Sequence, residues 1–199
     1  MLNAENQKDE INVTEENKQL IIDMLTIIGG EDPNSEHLKD TPARVIKSWN
    51  KLYGGYYQNP AEVLGTVFED GVGVDQGMVV LKDIEFYSTC IHHLLPFFGK
   101  VHIGYIPNGK VVGISKLARL VEVYSRRLQI QEKMTNEIAD AMQNILKPKG
   151  VIVIVEAQHL CMVARGVEKQ NSVMITSRVT GAFDTPNTKN EFLSLIGKR

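Results

Sequence analysis

Two consecutive stretches of helical periodicity, over 115–124 and 131–146, sit between two pairs of β-rich segments, and this order limits the possible folds more than any other feature of the chain. In the first stretch Leu117, Leu120, Val121 and Tyr124 share a face; in the second Met134, Ile138, Ala141, Met142 and Ile145 do. Met78 to Tyr87 and Lys100 to Ile106 before them, and Val151 to Glu156 and Ser172 to Val179 after them, are dominated by β-branched, aromatic and alternating residues. Pro107-Asn108-Gly109-Lys110 reads as a hairpin turn into Val111-Val112-Gly113, Ser115 as the N-cap of the first helix, and Lys147-Pro148-Lys149-Gly150 as the break after the second. Strand, strand, helix, helix, strand, strand predicts an α+β domain: an antiparallel sheet with a helix pair on one face.

Two further amphipathic helices precede this unit. Thr14 caps one with Glu15 and Glu16 in its first turn and Leu20, Ile21, Met24, Leu25 and Ile28 at helical spacing, ending at Gly29-Gly30. Thr41 reads as the N-cap of the next, with Pro42 in its first turn and Val45, Ile46, Trp49, Leu52 and Tyr53 on one face before Gly54-Gly55. The expected division is a disordered acidic tail over 1–13, a helical extension over 14–60 and the main domain over 61–199.

Composition narrows the partners. The 199 residues carry 22 Lys and Arg against 24 Asp and Glu, a net charge of −2, which gives no global field for nucleic acid or an acidic membrane. Any anion site must be local. The N-terminus MLNAENQKDEINVTEEN has no basic start and no apolar run, and no segment approaches the roughly 20 apolar residues of a membrane span. The expected location is the cytoplasm, where thiols stay reduced and a Cys pair points to metal or catalysis rather than a disulfide.

Both cysteines lie beside histidines, in Cys90-Ile91-His92-His93 and His159-Leu160-Cys161. Cys90 and His93 are spaced so that one loop could offer two ligands, while Cys161 would arrive from another strand end. Two thiolates and one imidazole meet the three-ligand count of a catalytic zinc, whose fourth position stays open. From spacing alone a pair of buried free thiols is an equal alternative. Histidine clustering favours the metal, since three of the five histidines fall in these two segments. His92 and His159 would then stand beside the metal as proton donors and acceptors. His102 sits in a strand pattern and reads as structural; His37 carries no functional case.

A second group is cationic. Lys116 follows Ser115, Arg119 lies one turn later, and Arg165 follows Cys161 by four residues. A helix N-terminus with these cations could hold a polyphosphate, although lysines and arginines beside helices are ordinarily solvated surface charges. Gln131 and Glu132 open the second helix, where a carboxylate is ordinary capping. An amide and a carboxylate there could also accept from the N1–H and amino group of guanine.

Taken together, Cys90-Ile91-His92-His93-Leu94-Leu95-Pro96-Phe97-Phe98-Gly99-Lys100, Gly113-Ile114-Ser115-Lys116-Leu117-Ala118-Arg119, Gln131-Glu132 and His159-Leu160-Cys161-Met162-Val163-Ala164-Arg165-Gly166 resemble the GTP cyclohydrolase I family. Leu38-Lys39-Asp40-Thr41-Pro42-Ala43-Arg44-Val45 and Ser177-Arg178-Val179-Thr180-Gly181-Ala182-Phe183 extend the likeness, in order, from about residue 35 to 196. The resemblance implies the tunnelling fold, two stacked pentameric rings, and substrate sites shared between subunits. It implies Zn2+ on Cys90, His93 and Cys161, proton transfer by His92 and His159, triphosphate binding by Ser115, Lys116, Arg119 and Arg165, and guanine recognition by Gln131 and Glu132. The implied reaction adds water to C8 of GTP, opens the imidazole ring, releases formate and closes 7,8-dihydroneopterin triphosphate, with no redox cofactor.

Rival readings are a non-catalytic, zinc-stapled nucleotide-binding assembly protein, or another tunnelling-fold enzyme. The three-histidine zinc site of 6-pyruvoyl-tetrahydropterin synthase and the nucleophilic cysteine of the nitrile reductase of queuosine synthesis both differ from the pattern seen. One departure from the family stands out: Ile91 occupies a position where the family commonly has Glu, which removes a carboxylate from the metal's surroundings. Groups that orient metal ligands typically change affinity or activity 10–100-fold. Ile91→Glu is therefore expected to change zinc content or turnover, and identical metal content and rate in the two proteins would show that the position has no such role.

Overall fold

The computed structural model describes residues 11–30, 32–65, 67–68 and 77–198. Residues 1–10 of the expected acidic tail lie outside the described residues. Ile11 is held by Asn50, whose side chain accepts from its amide at 2.8 Å and donates to its carbonyl at 2.9 Å.

Thr14 opens α1 (Glu15–Gly29) as expected, accepting from the Asn17 amide at 3.1 Å, and Gly30 closes it in the left-handed region at φ +61°. In α2 (Thr41–Leu52) the cap differs. Asp40 takes the N-cap position and Thr41 is the first helical residue; the Asp40 carboxylate pairs with Arg44 at 3.2 Å instead of capping the amides. A single 3-10 turn over Gly54–Tyr57 and the short α3 (Pro60–Leu64) follow.

The main sheet contains β2 (Val79–Cys90), β3 (Pro96–Ile106), β5 (Leu128–Gln129), β6 (Gly150–His159) and β7 (Met174–Gly181) in the order β5-β2-β3-β6-β7. Its pairings are antiparallel except β2 with β5. The expected hairpin from β3 into Val111-Val112 does not form. β4 (Val111–Val112) pairs with β1 (Val67–Phe68), because β2 and β6 already occupy both edges of β3. The adjoining helix start moves too: α4 (Ile114–Ser125) is capped by Gly113, whose carbonyl accepts from Lys116 N–H at 2.8 Å, so Ser115 lies inside the first turn rather than capping it.

α4 and α5 (Gln131–Leu146) cover one sheet face, as the periodicity predicts. Leu117, Leu120, Val121, Met134, Ile138 and Met142 meet the alternate residues Val101, Ile103, Tyr105, Val151, Val153 and Val155. The other face is partly covered by α7 (Pro186–Leu195), which the strand-and-helix order did not announce: Phe192 and Ile196 pack on Ile152, Ile154 and Phe183. Between β6 and β7 stands the single-turn α6 (Leu160–Val163).

His102 is structural, as its strand position suggested. It is 3% exposed, and its Nδ1 accepts from the Asp83 amide at 3.2 Å within the irregularity between Leu81 and Ile84. Its Nε2 has no hydrogen-bond partner and lies 3.5 Å from Glu156, which Lys198 also engages, while Lys100 pairs with Asp83. Burial lowers its pKa, with the Glu156 and Asp83 carboxylates opposing and Lys198 and Lys100 reinforcing. The native state thus resists a proton that the unfolded chain accepts. Stability should be complete above the ordinary value of 6.5 and fall as pH drops below it. His102→Asn, which keeps an acceptor near Nδ1 but cannot titrate, should give a flatter melting-temperature profile across this window; an unchanged profile would place the acid sensitivity elsewhere.

Candidate active site

The site forms where three chain segments end at one edge of the sheet. β2 finishes at Cys90, and the turn after it is closed by two backbone bonds, Cys90 N–H to Leu95 O and Leu94 N–H to Cys90 O, each 2.9 Å. Leu94 takes φ +54°, a left-handed conformation costly for a branched side chain, so the turn is held by its surroundings. Ile91 N–H donates to Gln129 O at 3.0 Å, which ties the same turn to β5.

This places Cys90 Sγ 3.7 Å from His93 Nδ1 and 4.0 Å from His92 Nδ1. β6 runs antiparallel to β3, with His159 opposite Phe97, and α6 then carries Cys161 over the same edge. The potential ligand atoms of Cys90, His93 and Cys161 all lie within 4.8 Å of one another, the one such group of three among the described residues. Zn–S and Zn–N bonds of about 2.3 and 2.0 Å span a tetrahedral S–N edge of about 3.5 Å, close to the 3.7 Å between Cys90 Sγ and His93 Nδ1.

Burial and the facing Cys90 push the Cys161 thiol above its ordinary value, with Arg165 acting weakly in the other direction. Two thiols in contact resist becoming two thiolates, and a divalent ion between them reverses that preference. The donor set therefore fits a zinc ion.

His159 stacks on Phe97 with ring centroids 4.6 Å apart and an interplanar angle of 4°. Burial lowers its pKa while the Glu132 carboxylate opposes the shift, which also puts Glu132 within electrostatic reach of the ring. His159 Nε2 lies 2.8 Å from Gln131 Oε1. Gln131 is fully buried and Glu132 is exposed, so the two adjacent residues face different surroundings.

With 66% identity over 168 residues, covering 84% of this chain and 89% of the relative, the chain is similar to GTP cyclohydrolase 1 of Wolinella succinogenes. Likeness to the enzymes of that name from Chlorobium chlorochromatii is 56% (85% and 75% covered) and from Methylococcus capsulatus 55% (85% and 91%). The model of the GTP cyclohydrolase I family matches residues 17–197. The chain belongs to the GTP cyclohydrolase I family. Among solved structures, the apo form of the archaeosine synthase QueF-Like aligns over 54% of this chain and 97% of that one, with TM-score 0.44 and 20% identity. The family match bears out the resemblance seen in the sequence motifs, and the sheet with its helix pair is α+β as expected.

Not every expected site residue is brought to this edge. Ser115 and Lys116 begin α4, whose far end leads through Arg126 into β5 beside Cys90. At 1.5 Å per residue the helix sets them about 15 Å from its end near Cys90, with Arg119 between. Arg165, after α6, is exposed within electrostatic reach of Cys161. Sequence reasoning missed Phe97, whose stacking role becomes visible only from the β3–β6 register, and the buried state of Gln131, for which the helix pattern of α5 gave a clue: it falls on the same face as Met134, Thr135 and Ile138.

Cys161→Ala removes one of three donors and should lower bound zinc from about one per chain to near none while the sheet remains folded. Metal analysis with circular dichroism on protein prepared without chelator checks this; full zinc retention would show that the three donors do not form the site.

Proposed function

We propose that this chain hydrolyses GTP to formate and 7,8-dihydroneopterin triphosphate, using Zn2+ held by Cys90, His93 and Cys161. What carries the reading is the Cys90–His93–Cys161 group at one sheet edge with His92 and His159 beside it, in a chain of this family. Zinc, when bound, supplies a water of lowered pKa for addition to C8 of the base. His92 and His159 exchange protons with the two nitrogens bonded to C8, one as the ring opens and the other as formate is released. Glu132 presents an exposed carboxylate to the guanine N1–H and amino group. Ser115, Lys116, Arg119 and Arg165 hold the triphosphate by hydrogen bonding and charge. The reduced thiols this site requires suit the cytoplasm. No helix among the described residues is long and apolar enough to cross a membrane.

The working site belongs to an oligomer in this reading. The triphosphate group of Ser115 and Lys116 starts at the far end of α4 from the metal, so one substrate would bridge the metal end of one subunit and the α4 start of another. Exposed apolar side chains support assembly: Leu20, Ile27 and Ile28 on α1 are 59%, 85% and 75% exposed. Two stacked pentamers, the arrangement implied by the family, would make each site a product of neighbouring chains.

Purified, zinc-loaded protein given GTP should release formate and yield a pterin that fluoresces after oxidation; a chelator should stop both. Neither product forming would overturn the assignment. Mixing separately inactive Cys161→Ala and Lys116→Ala chains under conditions that exchange subunits should restore about a quarter of wild-type activity if each site takes one residue from each of two chains, and none if both come from one chain.

A further inference from the structure

Gln131 has no exposed surface, and both ends of its amide are engaged. Nε2 lies 3.1 Å from the Val155 carbonyl, 3.0 Å from the Met174 carbonyl and 3.1 Å from Thr176 Oγ1. Oε1 lies 2.8 Å from His159 Nε2. A backbone carbonyl can only accept, so the amide end facing two carbonyls must be the NH2, and the side chain is not free to flip.

From that orientation the remaining protons follow. Oε1 only accepts, so His159 Nε2 must carry a hydrogen, and in the neutral ring the lone pair is left on Nδ1. Thr135 Oγ1 donates to the Gln131 carbonyl at 2.8 Å and accepts from Thr176 Oγ1 at 2.6 Å. Thr176 then has its own lone pairs turned to the Gln131 NH2. Every donor meets an acceptor with no conflict, across α5, β6 and β7. The ring plane is set independently by the stack on Phe97.

We infer that Gln131 is the positioning residue of His159: it imposes the Nε2–H tautomer and leaves the ring's lone pair on Nδ1. This differs from the guanine contact that the family resemblance implied for Gln131. With no exposed surface, it could reach a base only by giving up its bond to the half-buried His159 N–H. Guanine recognition then falls to Glu132 alone of the pair. The catalytic meaning of the tautomer rests on the GTP-hydrolase reading; the tautomer itself does not.

Neutron diffraction from zinc-loaded, deuterium-exchanged wild-type crystals, at a pH where His159 is neutral, should show a deuteron on Nε2 and none on Nδ1. The reverse would overturn the inference whatever the protein catalyses. Kinetically, Gln131→Met should lower kcat about 10–100-fold with the KM for GTP and the zinc content unchanged. In a His159→Asn background the same change should cost nothing further, because Gln131 acts only through that ring. A raised KM with kcat preserved, or additive losses in the double variant, would instead mark a direct substrate contact. Wild-type protein that leaves GTP intact would overturn the functional reading while the neutron result still decides the tautomer.

Discussion

The antiparallel pairing of β3 with β6 is the constraint on which the site depends. It runs in register from Phe97 opposite His159 to Ile106 opposite Gly150. That register sets Phe97 beneath the His159 ring, and it brings the start of β3, hence the Cys90–Leu95 turn, to the strand end from which α6 delivers Cys161. Gly99 shows how close the approach is: a Cβ there would stand 1.8 Å from the Glu156 carbonyl oxygen, too near for any side chain without moving backbone. A slip by one residue would turn Phe97 and His159 to opposite faces and separate the two thiols. Potential metal ligands far apart in sequence thus owe their meeting to a ladder of backbone hydrogen bonds.

Much of the fold was legible because its signals are local. The periodicity of α4 and α5, the Thr14 cap with Gly30 closing α1, and the β-rich runs all act over a few residues, and the structure realises each of them. The failures came where a distant partner decides. Val111 and Val112 have good hairpin chemistry before them, yet β3 has no free edge to offer, so they pair with β1. Ser115 and Thr41 are good capping residues displaced by one or two positions, through the Gly113 carbonyl in one case and the Asp40–Arg44 pair in the other. α7 escaped notice because its apolar contribution is carried chiefly by Phe192, with Ile196 just beyond its end, rather than by a full stripe.

The site was legible in a different way. Donor types at the right spacing named Cys90, His93 and Cys161, and ordered motifs supplied the family, but neither could say which polar groups face substrate. Gln131 and Glu132 are neighbours in sequence and alike in hydrogen-bonding reach. Successive residues on a helix point about 100° apart, so one is drawn into the core beside Met134 and Thr135 while the other faces outward. A motif read as a unit conceals this division; burial and the direction of each hydrogen bond reveal it.

The same logic explains why a buried amide stands at the head of α5. The first amides of a helix lack partners within it, and a side chain there is free to turn toward other elements. Gln131 uses that freedom to join the Val155 and Met174 carbonyls of two neighbouring strands, while its oxygen holds the imidazole at the end of one of them. A longer or charged side chain would leave carbonyls facing an unmatched group in a dry site, and a shorter one could not span from helix to ring. Fold and site thus constrain the residue together: the bonds that seat α5 on the sheet also decide which nitrogen of His159 carries the hydrogen.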